Sequence, residues 1–271
     1  MAPSLPQFSA ARMRSYVFRL PLFTRAIIAI ITLLWLLSMQ SVWNVQQWGA
    51  LIPKEIGLAS MYRTNTFPLV HNGFFHTFIN VFALTPLLER FEAEYGTLTT
   101  LALFVGPLST IPALLYTLIE RGLLGLNTTV LGSSIWVFTL LAMEAVKTYK
   151  TNPSFQIGTV KVPTWTTPLI IVVFTSVLIP NTSFLGHLCG LAFGYGWGLG
   201  YLKFLAPPEW ALRWIEGKLN LLGRLPHYVS VDQKTYGRFG VLPTTNTSNI
   251  TIPRDGGLEM GLQGSTQRLG P

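Results

Sequence analysis

The feature that most restricts this chain is a succession of long apolar runs, at 22–42, 67–88, 98–119, 130–145, 165–179 and 184–205. A helix needs about 20 apolar residues to cross a hydrocarbon core of ~30 Å, and backbone surrounded by lipid must satisfy its hydrogen bonds within its own segment. Runs of this kind predict an all-α polytopic membrane protein. Composition agrees, since 49% of the 271 residues are apolar and 11% are charged, against about a quarter charged in soluble domains. The single cysteine, Cys189, falls inside a run and has no partner, so disulfides cannot hold the fold and Cys189 is assigned to packing.

The runs divide the chain into a cytosolic N-terminal segment at 1–21, a six-helix domain at 22–205 and a cytosolic, largely disordered tail at 206–271. Basic residues set the orientation. With the N-terminus in the cytosol, one side carries Arg12, Arg14, Arg19, Arg25, Arg90, Lys147, Lys150, Lys161 and the basic residues of the tail, and the other only Lys54, Arg63 and Arg121. The acid-free, arginine-bearing start also permits a mitochondrial presequence, the lesser alternative because the flank of a first span looks the same. The tryptophan-bearing connection at 43–63 is expected to lie partly in the membrane interface, and 180–183 to form a tight turn between the last two helices. After Ala206, Pro207-Pro208 introduces a short amphipathic stretch through Trp210, Trp214 and Leu221.

Polar side chains at membrane depth are costly unless paired or wetted, so they mark candidate chemistry. The second run carries His71, Asn72, His76 and Asn80, the fourth opens near Gly132-Ser133-Ser134, and the sixth opens with Gly186-His187. In the expected topology all three runs travel the same way, and each polar group lies early in its run, so the groups share a depth and can form one site. Read as one helix at 100° per residue, His76 and Asn80 are about 40° apart, whereas His71 is about 140° from His76 and is not expected to act with it. Gly186, Gly190, Gly194 and Gly198 recur at four-residue spacing, a small-residue ridge that permits close helix approach and would carry His187 toward Ser134. Taken singly, each item has a plainer reading: a membrane serine usually bonds its own backbone, and a glycine ridge usually only packs.

At these residues the chain resembles the rhomboid family, and within it the short fungal Golgi-type group. The His-x4-His-x3-Asn signature of the second helix is met by His71, His76 and Asn80, the Gly-x-Ser motif of the fourth by Gly132 and Ser134, and the sixth-helix histidine with its glycines by His187, Gly190 and Gly194. The resemblance covers 22–205 and implies a six-transmembrane-helix rhomboid fold. It also implies a serine endopeptidase with Ser134 as nucleophile and His187 as base, supported by His76, Asn80, Gly132 and His71. One departure is Ile135, which stands where many members have glycine, directly beside the nucleophile. The runs contain no aspartate, so the chemistry would be that of a Ser-His dyad.

The implied partners are transmembrane protein substrates and the lipid bilayer; no cofactor, metal or nucleic acid is expected. The segment 262–270 resembles a degenerate motif for recruiting a cytosolic AAA+ unfoldase, with Leu262 where an aromatic is usual. Three other classes compete: an inactive derlin-like client-binding adaptor, a metal-dependent membrane enzyme and a transporter. Retention of Ser134 and His187, the absence of His-Glu-x-x-His, and the absence of an internal repeat argue against each in turn.

Overall fold

The structure, a computed structural model, describes residues 10–179 and 182–234. Pro180 and Asn181 of the expected turn, and the 262–270 motif, lie outside the described residues. The helices in chain order are α1 (Ala10–Arg19), α2 (Leu22–Leu37), α3 (Val45–Gly49), α4 (Arg63–Thr66), α5 (Phe74–Tyr95), α6 (Thr97–Phe104), α7 (Pro107–Thr117) and α8 (Ser134–Thr151). An antiparallel hairpin, β1 (Ser154–Ile157) and β2 (Val160–Pro163), follows. The chain continues with α9 (Thr167–Leu178), α10 (Phe184–Gly198), α11 (Glu209–Leu219) and α12 (Leu221–Arg224).

The apolar runs become helices, with shifted limits. The second begins at Phe74, because Gly73 takes a φ of +92° that ends the preceding turn, and it runs on through a polar end to Tyr95. In the sixth the α-helix ends at Gly198, and only a 3-10 turn, Lys203–Leu205, follows within the run. The third is a nearly continuous helical path from Thr97 to Leu123, re-aimed at Gly106-Pro107, and among the described residues it alone is long and apolar enough to cross a membrane on length and composition. Leu22–Leu37 and Thr164–Leu178 are apolar but shorter.

The described residues are mostly helical, as expected, with one two-stranded hairpin, not anticipated, between α8 and α9. Its segment alternates apolar and polar residues about Gly158, which has a φ of +60° and makes the two-residue turn possible. The tail expectation also changes at its near end. Leu212 of α11 and the run Tyr228 to Val231 are buried against the helices, so packing continues well past Leu205.

The anchor for this docked segment is Glu92, a fully buried carboxylate near the end of α5. It accepts from the backbone N–H of Phe23 (2.9 Å) and Thr24 (2.7 Å), and from the hydroxyls of Thr24 (2.8 Å) and Thr97 (2.7 Å). The first turn of α2 thus receives the negative charge that its unpaired N–H groups favour. Thr97 passes the connection on: its hydroxyl accepts from Val229 N–H at 2.9 Å, and its own N–H donates to the Val229 carbonyl at 2.9 Å.

The centre of the molecule is the pair α8 and α10. A Cβ at Gly190 would fall 2.6 Å from the Ile135 carbonyl oxygen, one at Gly194 would collide with the Thr139 carbonyl, and one at Gly198 would fall 2.9 Å from Val146 Cβ. The contacts advance in the same direction along both helices, so α8 and α10 are parallel and their first turns share one end. Thr139 closes the seam, its hydroxyl lying 2.8 Å from the Ile135 carbonyl and 3.0 Å from that of Gly190.

Candidate active site

Ser134 is the first residue of α8 and His187 belongs to the first turn of α10. The parallel glycine-seamed packing brings these two turns together, and Ser134 Oγ lies 3.1 Å from His187 Nε2. The imidazole packs against Phe138, one turn below Ser134, with ring centroids 4.4 Å apart and a 39° tilt. His187 Nδ1 is buried, and no carboxylate or other partner reaches it among the described residues. The orientation of the base is therefore set by the Phe138 ring and by close helix approach. Asp232, a possible third acid on composition alone, pairs instead with Arg213 in the docked tail segment.

The turn before Ser134 is shaped by two histidines from the other side. Gly132 has a φ of +108°, a region costly for residues with a Cβ, and a Cβ there would fall 2.6 Å from His76 Cε1 and 2.8 Å from His76 Nε2. Glycine is thus required both by conformation and by the ring beside it. Its N–H donates to the Phe67 carbonyl at 2.8 Å. His76 Nδ1 accepts the Asn72 N–H at 3.1 Å, so a neutral ring carries its proton on Nε2, the ring nitrogen nearer Gly132. Asn80 is buried one turn further along, and its amide nitrogen donates to the His76 carbonyl at 2.8 Å, leaving a second N–H on the same group.

His71 departs from its expected position. It precedes α5 instead of lying on it, so the 140° separation from His76 does not apply, and the two rings stand 5.1 Å apart. His71 Nε2 accepts the Ser133 N–H at 3.2 Å and lies 3.2 Å from the Ser133 hydroxyl, while Nδ1 faces the Leu69 carbonyl at 3.3 Å. The neutral ring therefore holds its proton on Nδ1. Ser133, set aside in the sequence reading, is held in the backbone that positions Ser134 and contacts a different histidine.

Ile135 turns away from the site. Its side chain is buried against Gly190, so the residue that replaces the family glycine fills the α8–α10 seam. Phe138 is the site residue that sequence reasoning missed. Its signal was position: four residues after Ser134 on a helix shares Ser134's face.

The connection at 43–63 is tied to the same turn. Leu51 and Val130 exchange backbone hydrogen bonds of 2.8 and 2.9 Å. Arg63 donates to the carbonyls of Gln47 (2.7 Å) and Ala50 (2.8 Å) and pairs with Glu55 at 3.1 Å. Within it, Leu51 is buried and Leu58 is exposed, so only part of the stretch read as amphipathic faces outward.

A serine hydroxyl faces an imidazole that has no carboxylate partner among the described residues, at the start of two apolar helices packed through glycine, an arrangement that fits a serine hydrolase of an apolar, helical protein. The profile of the rhomboid domain matches residues 58–204. The chain is 59% identical over 269 residues to rhomboid-type serine protease B of Aspergillus fumigatus, covering 99% of this chain and 97% of that protein. Rhomboid-type serine protease 2 of Podospora anserina is 58% identical over 292 residues and that of Gibberella zeae 60% over 271, each covering both chains completely. This chain belongs to the rhomboid family, with a polytopic helical membrane fold and the activity of a rhomboid-type serine protease.

Proposed function

We propose that this chain is a six-span intramembrane endopeptidase that cuts other transmembrane proteins near the lumenal end of their spans through a Ser134–His187 dyad. The observation that carries this reading is the 3.1 Å approach of Ser134 Oγ to His187 Nε2 with no acid behind the imidazole among the described residues. His187 Nε2 takes the hydroxyl proton as Ser134 Oγ attacks the scissile carbonyl, and then returns it to the leaving amine. Water then attacks the acyl carbon as His187 Nε2 takes its proton, and that proton passes to Ser134 Oγ as the acyl–Oγ bond breaks and the carboxylic acid leaves.

Negative charge developing on the carbonyl oxygen meets three donors: His76 Nε2–H, the free amide N–H of Asn80 and the backbone N–H of Ser134. The last belongs to the first turn of α8, whose N–H groups have no intrahelical acceptor. Each such donor is worth roughly 3 kcal/mol of barrier. His71 and Gly132 support the turn that aims Ser134, and Gly190 and Gly194 bring His187 to it.

Backbone bonded within a helix cannot be attacked, so the substrate is a membrane helix that unwinds where it enters the site. The short α9 is the candidate gate. The distribution of basic residues supports a cytosolic position for both termini, and the resemblance supports a secretory-pathway membrane, the Golgi first. Recruitment of a cytosolic unfoldase through 262–270 is a separate proposal, tested by co-purification after deletion of the last ten residues.

Labelling with a fluorophosphonate tests the dyad. The wild type should be modified at Ser134, Ser134→Ala should not react, and His187→Ala should react far more slowly. Equal labelling of Ser133 would contradict the assignment.

A further inference from the structure

Two apolar surfaces lie at the end of the molecule opposite Ser134. Because α8 and α10 run parallel from the site, Thr151 and Gly198 finish at one end; the hairpin follows the first and α11 follows the second. In the hairpin Phe155 pairs with Val162 and Ile157 with Val160. Opposed residues share a face, and so do residues two apart on a strand, so these four apolar side chains form one face while Gln156 and Lys161 lie on the other. Ile157 is 59% and Val160 61% exposed. An isolated two-stranded hairpin is marginal in water unless such a face is covered.

Helix α11 repeats the pattern. Leu212 is buried against the domain while Trp210 and Trp214, about 40° apart on the helix, are 75% and 63% exposed. Exposed Tyr201 and Phe204 connect α10 to this edge, and α9, which the hairpin feeds, exposes Val173, Phe174 and Val177, so both surfaces continue apolar faces of neighbouring segments. Lys150, Lys161, Lys218 and Arg224 are exposed around them. Of the nearby acids, Glu209 and Asp232 are paired with Lys234 and Arg213, and Glu216 accepts from the Tyr228 hydroxyl and the Val231 N–H, so cations outnumber acids at this end.

We propose that the hairpin's apolar face and the tryptophan edge of α11 insert into the headgroup layer of the leaflet at this end, and that the surrounding basic residues give the insertion a preference for anionic lipid. The proposal rests on the membrane-spanning reading above. Tryptophan at the acyl boundary with flanking lysine and arginine is the composition that such a layer retains, and continuity with the outward faces of α9 and α10 places lipid, and not a soluble protein, against both surfaces.

The test uses the full chain in a Cys189→Ala background, reconstituted in phosphatidylcholine vesicles with or without phosphatidylserine. An environment-sensitive fluorophore is attached at Ile157→Cys or Trp214→Cys, with Gln156→Cys as the polar-face reference and Phe174→Cys as the reference for a spanning helix. Residues 157 and 214 should emit blue-shifted light, be quenched several-fold more than 156 by headgroup-level spin-labelled lipid, and resist aqueous iodide. The shift should grow with phosphatidylserine and lose that growth in Lys150→Gln/Lys161→Gln. If 157 and 214 follow 156 in iodide while 174 is lipid-quenched, the insertion is wrong and the spanning reading stands. If 174 is also open to iodide, both fall. Protection seen only in native membranes would point to a protein partner and overturn the proposal, and protection indifferent to phosphatidylserine would overturn the anionic preference.

Discussion

The ring of His76 stands where a side chain on Gly132 would begin, with His76 Cε1 2.6 Å from the place of a Cβ. The glycine of the serine motif and the central histidine of the second-helix motif, far apart in sequence, are therefore one packing decision. Gly132→Ala should lower rhomboid activity at least about 100-fold and reduce thermal stability by roughly 1–3 kcal/mol through the unfavourable φ alone. Combining it with His76→Ala should recover part of the stability loss, since it removes the collision but not the backbone strain. Thermal unfolding in detergent reads both.

His71 and Ser133 should behave differently from the neighbouring pair. His71→Ala leaves the buried N–H of Ser133 without its acceptor, a cost of about 1–3 kcal/mol, and should lower both stability and kcat. Ser133→Ala keeps that N–H bonded to His71 Nε2 and should stay within a few-fold of wild type. Parallel unfolding and kinetic measurements on the two variants check the difference.

The donors on α5 should act on the chemical step. His76→Ala and Asn80→Ala are each expected to lower kcat by about 10²-fold, with little change in KM, because the hydrogen bonds form to charge present only in the transition state. A rise in KM at constant kcat would assign these residues to substrate binding.

Glu92 joins the start of α2 to the docked tail through Thr97. Glu92→Ala strands several buried donors of α2 and Thr97, and should destabilise the protein by about 3 kcal/mol. Thr97→Val removes the hydroxyl link to Val229 while keeping the Thr97 N–H bond, and should make the chain near Arg224 cleave faster with trypsin, with little effect on peptide hydrolysis. Limited proteolysis followed by mass measurement separates the two effects.

The parts of the site that could be read from sequence are those that break an apolar pattern. Ser134, His187, His76 and Asn80 stood out because polar groups are rare in such runs, and the four-residue glycine spacing correctly placed α10 against α8. His71 was misplaced because periodicity extends through Gly73, while the positive φ of that glycine starts the helix only at Phe74. Phe138 was invisible as one aromatic among many; only its contact with His187 distinguishes it. The hairpin did carry a signal, alternation on either side of Gly158-Thr159, but it sits between two strong helical runs that dominated the pattern. The docking of Tyr228 to Val231 depends on distant partners, Thr97 above all, and a run that short inside a Gly- and Pro-rich tail carries no periodicity to reveal it.

The central claim is tested most directly by reconstituting wild type, Ser134→Ala and His187→Ala with a single-span reporter protein in proteoliposomes and mapping the fragments by mass. The account predicts one cut near the end of the reporter span on the Ser134 side of the membrane, lost by about 10³-fold or more in either variant. Fragments released at the wild-type rate by Ser134→Ala would contradict it.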